Sequence, residues 1–308
     1  MEWKKILCLL LSAGMCLALV ACTGGEVPAE EIQPPEEEET GPAYWFETSD
    51  TADKYSDDEG RLLASYDYQI VVMKTSEQAD AAVLEMAENF NAGMQEVLDN
   101  QLEMGDELGQ WASYDDNLSP SLGTGDSYYT DELTVEGTQT GEIYSACFSN
   151  YNYMGGAHPS QTYFSRTFDL NRGEYIDPLE VADDPELLRA TVTDLLLDQI
   201  QHLDPEILAD YYEGYESTVS QWNSRSVCFG AEGMTVVFSE YELGPYALGT
   251  QTFTIHYEEL AEALGQGGQV KLGLAEPEST AAGQTALAKR EGDVHPLPLC
   301  FFIKIFQC

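Results

Sequence analysis

Asn152-Tyr-Met-Gly-Gly-Ala-His-Pro-Ser160 directly follows a strand-like aromatic run from Ile143 to Tyr153. Its glycine pair can adopt backbone angles that are closed to other residues, and its proline favours an extended conformation at the preceding histidine. We therefore expect strand pairing to end here in a fixed, exposed turn. A second irregular stretch, Tyr241-Glu-Leu-Gly-Pro-Tyr-Ala-Leu-Gly249, lies between two further strand-like runs. We predict that these two loops form one recognition surface.

The candidate ligand-binding residues lie in the two loops and in the strand that leads into the first. They are Tyr151, Tyr153, His158, Pro159, Tyr241, Pro245 and Tyr246. Tyrosines can supply rigid aromatic anchors for a ligand. The alternative is that they pack at the edge of the core with their hydroxyls in water.

His158 invites an enzymatic interpretation, but the chain lacks the motifs that would accompany one. It contains no Gly-x-Ser-x-Gly, no His-Glu-x-x-His and no phosphate-binding glycine loop. Hydrogen bonding that fixes the turn is therefore the favoured role of this histidine, followed by ligand contact. No spacing indicates zinc, and we predict no catalytic residue, no metal site and no cofactor.

The hydrophobic periodicity predicts an α+β fold in which helices pack on an antiparallel sheet. Apolar residues alternate from Tyr66 to Val72, and Thr75-Ser-Glu-Gln78 fits a capping box that opens a helix ending near Asn100. Further strand-like runs are Tyr128 to Val135, Glu142 to Tyr153, Thr162 to Leu170, Met234 to Phe238 and Gln251 to Tyr257. Short turns between them favour antiparallel neighbours.

Two later helices share one start signature, Asp184-Pro185-Glu186 and Asp204-Pro205-Glu206. Each places an acidic N-cap before a proline at the first helical position, with a carboxylate at the positive end of the helix. We expect both helices to cover one face of a sheet.

Residues 1–22 form a targeting segment, in which two lysines precede an apolar run too short to span a membrane comfortably. The run ends in Leu19-Val20-Ala21-Cys22, which resembles the bacterial lipobox. Cys22 is therefore the predicted lipidation site and the first residue of the mature protein; the alternative is an ordinary secretory signal. Acyl chains on Cys22 would hold the protein at the extracytoplasmic face of the cell membrane.

Two segments are predicted to lie outside the folded domain. Residues 23–60 are rich in Glu, Pro and Asp, which predicts a disordered acidic tether. Within it, Tyr44-Trp-Phe46 is either a docking patch or a sign that the tether packs back on the domain. Residues 265–308 change to a Gly, Ala, Gln and Thr composition and are predicted to form an atypical, disordered tail after a short helical turn.

The formal net charge of −42 argues against nucleic-acid binding, because the phosphate backbone would be repelled. A charged partner should be cationic. Simple solubility is the alternative explanation for this charge.

Cys147 and Cys228 both lie in strand-like runs of the predicted domain. In an exported protein they could form a disulfide, but two buried free thiols in neighbouring strands explain the sequence equally well. The sequence leaves both alternatives open.

Several short motifs together carry a family resemblance. They are Gly155-Gly-Ala-His-Pro159, Thr167-Phe-Asp-Leu170, Glu174-Tyr-Ile-Asp-Pro-Leu179, Gly233-Met-Thr-Val-Val-Phe238, the stretch from Tyr241 to Gly249, and Phe253-Thr-Ile-His-Tyr257. Their order and spacing resemble the extracytoplasmic domain family found in the anti-sigma factor RsiV, DUF3298. The strand and helix from Leu62 to Asn100 resemble its usual N-terminal partner, DUF4163. Residues 61–264 are accordingly predicted as an RsiV-like domain.

This resemblance implies an α+β binding module. The family's best-known member is a receptor for lysozyme, and related domains precede peptidoglycan deacetylase domains. Because the chain shows neither a sigma-binding segment nor a deacetylase domain, binding is the activity that we expect. The expected ligands are lysozyme, another cationic protein, or peptidoglycan, and the alternative function is that of a peptidoglycan-modifying enzyme or accessory subunit.

Overall fold

The computed structural model of the protein describes residues 42–114, 128–222 and 224–277. The strands are β1 (Tyr44–Ser56), β2 (Leu62–Thr75), β3 (Tyr129–Thr140), β4 (Ile143–Tyr153), β5 (Ser160–Asp169), β6 (Glu174–Ile176), β7 (Val227–Phe229), β8 (Gly233–Phe238) and β9 (Gln251–His256). The helices are α1 (Ala81–Tyr114), α2 (Pro185–Gln201), α3 (Pro205–Leu208), α4 (Tyr215–Ser220) and α5 (Tyr257–Lys271). The predicted signal segment and its lipidation site Cys22 lie outside the described residues.

Two sheets organise this part of the chain. The first contains β1 to β6 in sequence order, and the second contains β7, β8 and β9. All neighbouring strands run antiparallel except β2 and β3, which are parallel because α1 carries the chain back between them. The predicted α+β class, with helices packed on sheets, is confirmed.

Helix α1 covers one face of the first sheet. Its buried side chains, which include Met86, Phe90, Met94 and Val97, pack against aromatic residues of the strands. The predicted capping box at Thr75 is wrong, because Thr75 ends β2 and the Asp80 carboxylate instead accepts a hydrogen bond from the Val83 amide. The helix also runs past the predicted end, to Tyr114.

The acidic tether was predicted to extend through residue 60, and this is wrong for Tyr44–Ser56, which forms β1. This strand pairs with β2 along its length. Phe46 stacks on Tyr144 with ring centroids 3.9 Å apart. Tyr55 packs over Gly109 of α1, where an added Cβ would lie 2.6 Å from the tyrosine ring. The aromatic residues at 44–46 thus belong to the domain, while residues 23–41 lie outside the described part.

The second domain boundary is also displaced. Helix α5 continues to Lys271, so the disordered tail predicted from residue 265 is wrong for residues 265–271. Leu272 is buried, and the Glu142 amide donates to the Lys271 carbonyl at 2.7 Å, which ties this segment to the start of β4. Residues 278–308 lie outside the described part.

Helices α2 and α5 cover one face of the second sheet. The predicted cap of α2 is confirmed, since the Asp184 carboxylate accepts from the amides of Glu186 and Leu187 at 3.1 Å each. Asp204 caps α3 as predicted, but α3 has only four residues. The apolar stripe predicted for this helix is formed in part: Leu208, Tyr211 and Tyr215 pack against the core of the second sheet, while Ile207 and Tyr212 are each 45% exposed. None of the helices in the described ranges has the length and apolarity needed to cross a membrane.

A seam of side chains from the first sheet holds the edge of the second. The Ser145 hydroxyl oxygen accepts from the Phe229 amide at 3.1 Å, and that of Ser165 accepts from the Val227 amide at 3.3 Å. A disulfide between Cys147 of β4 and Cys228 of β7 crosses the same seam. The two cysteines are therefore bonded to each other and are not the free thiols that the sequence equally allowed. Serine hydroxyls and one covalent bond therefore replace the neighbouring strand that β7 lacks on this side.

Ser145→Ala should lower the free energy of unfolding by about 1–3 kcal/mol, because the buried Phe229 amide loses its acceptor. Ser149→Ala is the matched control, since Ser149 lies half-buried on the same strand and its hydroxyl accepts only from the Gln161 side chain. Its effect should stay within about 0.5 kcal/mol. Chemical denaturation measures both, and equal effects of the two variants would contradict the role given to the seam.

Replacing both Cys147 and Cys228 by alanine should destabilise the protein. The bond closes a loop between residues 81 positions apart. Loop-closure entropy gives about 4.5 kcal/mol for such a loop, which corresponds to a melting temperature lower by about 10 °C. Wild-type protein melted with and without reductant provides the control. An unchanged melting temperature in both comparisons would contradict the prediction.

Candidate functional site

The two loops singled out by the sequence meet at the surface, as predicted. The His158 ring stacks on Tyr246, with centroids 3.7 Å apart and planes inclined by 16°. The Tyr241 hydroxyl lies 3.1 Å from His158 Nε2. His158 is exposed, and Tyr241 is 52% exposed. We call these three side chains the aromatic cluster.

Hydrogen bonds fix the orientation of the His158 ring. Its Nδ1 lies 2.9 Å from the Pro159 carbonyl, which can only accept, so Nδ1 carries the proton. In the neutral imidazole Nε2 then accepts from the Tyr241 hydroxyl. One ring nitrogen therefore bonds to the backbone of its own loop and the other to Tyr241 of the second loop. This histidine positions the two tyrosines, which agrees with the structural role favoured by the sequence.

The backbone of each loop reaches conformations that favour glycine. Gly155 and Gly156 have φ values of 82° and 93°. In the second loop Tyr241 has φ 67°, and within the described ranges it is the one residue other than glycine with a positive φ. Such strain costs about 1–2 kcal/mol for an L-residue and is often found at functional sites.

The second loop is attached to the start of β5. The Glu240 carboxylate accepts from the Gln161 amide, and the Ser239 hydroxyl oxygen accepts from the Tyr163 amide, both at 3.2 Å. Partial desolvation, followed by the nearby Glu240 carboxylate, raises the pKa of Tyr246. Sequence reasoning missed Glu240, because its role depends on a strand amide distant in the chain.

The remaining predicted residues lie around the aromatic cluster. Tyr151 lies close enough to Tyr246 to contribute to its raised pKa. The Tyr153 hydroxyl donates to the Gly156 carbonyl at 3.3 Å, so this tyrosine supports its own turn. Pro245 is exposed and precedes the short 3₁₀ turn Tyr246–Leu248. The predicted residues are thus brought together, while their binding of a ligand stays a prediction.

The second loop carries carboxylates, and neither loop has a lysine or arginine. The chain has no lysine or arginine at positions 75–165 or 226–270, and both loops come from these two stretches. Glu240 therefore has no basic neighbour from either stretch. Within the described ranges no group of three or more His, Cys, Asp or Glu residues could hold a metal ion. The arrangement suits contact with a cation-bearing partner.

Residues 189–258 match the family described as "Protein of unknown function (DUF3298)". This span contains β8, β9 and the second loop, and the chain therefore carries a DUF3298 domain there. The DUF3298 part of the resemblance is confirmed, while the RsiV-like and DUF4163-like parts stay predictions. No curated protein matches the chain.

Two solved structures of DUF3298 family proteins resemble this one. A member from Bacteroides fragilis NCTC 9343 is 15% identical, with a TM-score of 0.53, and the likeness covers 75% of this chain and 97% of that one. A protein from Pseudomonas aeruginosa PAO1 is 13% identical, with a TM-score of 0.47, over 74% of this chain and 97% of that one. The likeness to the Bacteroides fragilis protein shows that the two chains share a fold.

The strained backbone of Tyr241 can be tested apart from its ring. Tyr241→Gly should be more stable than Tyr241→Ala by about 0.5–1 kcal/mol, because only alanine retains the cost of a positive φ. Thermal denaturation measures the difference. The same pair of substitutions at Thr252, an exposed position in β9, is the control and should favour alanine. A higher stability of the alanine variant at both positions would contradict backbone strain at Tyr241.

Proposed function

We propose that the protein is a bacterial lipoprotein, anchored through Cys22 at the extracytoplasmic face of the membrane, whose RsiV-like domain binds a cationic protein. Lysozyme is the partner to test first. In this proposal the strand and helix after residue 61 form the DUF4163-like part, next to the DUF3298 domain. The observation that carries the proposal is the meeting of the two loops in the exposed aromatic cluster.

The rigidity of the aromatic cluster supports binding. Interface residues that contribute most to affinity are enriched in tyrosine, and a side chain that is already ordered loses less entropy on binding. Stacking on His158 and the hydrogen bond from Tyr241 hold both rings before any partner arrives. An exposed cluster held in this way can act as a preformed anchor.

The electrostatics support a cationic partner. The formal net charge is −42, and the stretches that build the surface contain no lysine or arginine. Such a field raises the rate of encounter with a basic protein and makes that rate depend on salt. It also disfavours acidic partners and nucleic acids.

Lysozyme should bind the purified full-length protein at low salt. Raising the ionic strength from about 0.05 M to about 0.5 M should weaken the complex at least about tenfold, mainly by slowing association. Biolayer interferometry measures both rate constants. Absence of a complex at low salt would remove lysozyme as the partner.

The aromatic cluster should contribute most of this affinity. Tyr241→Ala combined with Tyr246→Ala should weaken binding about thirtyfold, as expected for two residues that dominate an interface. Tyr114→Ala is the matched control, since Tyr114 is 82% exposed at the far end of α1. Equal affinities of the control and the double variant would place the contact elsewhere.

A further inference from the structure

A groove lies between the two sheets, next to the aromatic cluster. It encloses about 440 Å³ and is lined by β3, β4 and β5 of the first sheet and by β7, β8 and β9 of the second. Both cysteines of the disulfide line it, so that bond sets the spacing of the two walls at this point. Its volume falls within the range of about 300–1,000 Å³ that is usual for ligand sites.

The walls of the groove are built from alternating strand positions. Thr134, Glu136 and Thr138 line it from β3, and Thr235 and Val237 line it from β8. Because side chains on one face of a strand recur at every second residue, these positions mark a line along each strand. On β3 this line is about 13 Å long, the length of about four residues of extended chain.

The groove offers solvent-accessible hydroxyls and one charge. Among the described residues, the hydroxyls of Thr138, Tyr163 and Thr252 line the groove and make no hydrogen bond with other side chains or backbone groups. Glu136 is the one lining residue with a formal charge, and it is exposed and has no ion pair within the described ranges. These groups can accept hydrogen bonds from backbone amides and pair with one cation.

Gln161 links the groove to the loop that carries Tyr241 and Tyr246. The Gln161 side chain donates to the Ser149 hydroxyl oxygen, which lines the groove, at 2.9 Å. The amide of the same residue donates to Glu240, beside Tyr246. Gln161 therefore connects the second loop to one wall of the groove.

We propose that this groove binds an extended polypeptide segment whose lysine or arginine side chain pairs with Glu136. This inference rests on the proposed function, because the segment would belong to the cationic protein that the aromatic cluster binds. The line of alternating positions matches the repeat of an extended chain. Every wall of the groove comes from the stretches without lysine or arginine, which favours a basic segment. An acidic segment would meet Glu136 with no basic residue in the lining to offset the repulsion.

Two peptide arrays test the groove without lysozyme. In one, a central lysine is flanked by randomised uncharged residues, and in the other glutamate replaces that lysine. The labelled full-length protein should bind the lysine array in preference to the glutamate array. Thr252→Arg, which places a long cationic side chain in the groove, should reduce that binding at least tenfold, and Glu136→Gln should remove the preference for lysine.

Controls separate the groove from the aromatic cluster and from a general charge effect. Thr48→Arg adds the same charge at an exposed position of β1, outside the groove, and should bind the lysine array like the wild type. The Tyr241→Ala and Tyr246→Ala double variant should also retain array binding. Equal binding by the Thr252→Arg and Thr48→Arg variants, or no preference for lysine in the wild type, would overturn the proposal.

The remaining outcomes distinguish this proposal from the proposed function. A wild type that binds the lysine array but not lysozyme would support the groove and exclude lysozyme as the partner. A wild type that binds lysozyme but neither array would support the proposed function and overturn the groove. Competition by an N-acetylglucosamine tetramer against the lysine array would assign the groove to a glycan and equally overturn the proposal.

Discussion

The edge of β7 is the constraint on which the rest of the structure depends. A three-stranded sheet that ends in a strand of three residues would leave unpaired amides at that edge, a costly arrangement once the edge is buried. Ser145 and Ser165 supply the missing acceptors from the face of the first sheet. Because these bonds are directional, they determine the position of β7 on β4 and β5 as well as holding it there.

This placement explains why two loops distant in sequence meet. The first loop follows β4 and the second follows β8, so their separation depends on how the sheets are joined. With the seam fixed, Ser239 and Glu240 reach the amides at the start of β5. The second loop is then held against the first, and Tyr241 can reach His158 despite its strained backbone. The seam is therefore the cause of the aromatic cluster as well as of the groove beside it.

The sequence predicted those parts of the fold that are decided locally. The meander from β3 to β5 follows from alternation and short turns, and the start of α2 follows from an acidic cap before a proline. The start of α1 was missed because Thr75 and Asp80 both satisfy a local capping rule. Pairing of Thr75 with Tyr44 in the sheet decides between them.

Other features depend on contacts that leave no local pattern. Strand β1 is mostly exposed and acidic, so its composition indicates disorder. Its order comes from contacts distant in the chain, namely its pairing with β2 and the packing of Tyr55 over α1. The disulfide joins residues 81 positions apart, and their proximity follows from topology alone. For the candidate site, the loop motifs predicted the aromatic residues but not Glu240, whose role requires the amide of Gln161.

The basic residues of the described part all lie outside the two lysine- and arginine-free stretches, 75–165 and 226–270. Arg166 pairs with Glu96 of α1, Arg172 pairs with Glu174 and Glu180 beside β6, and the Lys271 ammonium donates to the Glu180 carbonyl. These contacts lie around β6 and the 3₁₀ turn Pro178–Val181 that follows it. The two loops and the residues that line the groove include no lysine or arginine. In the proposed function, the acidic field of the two loops would draw a basic partner toward the aromatic cluster.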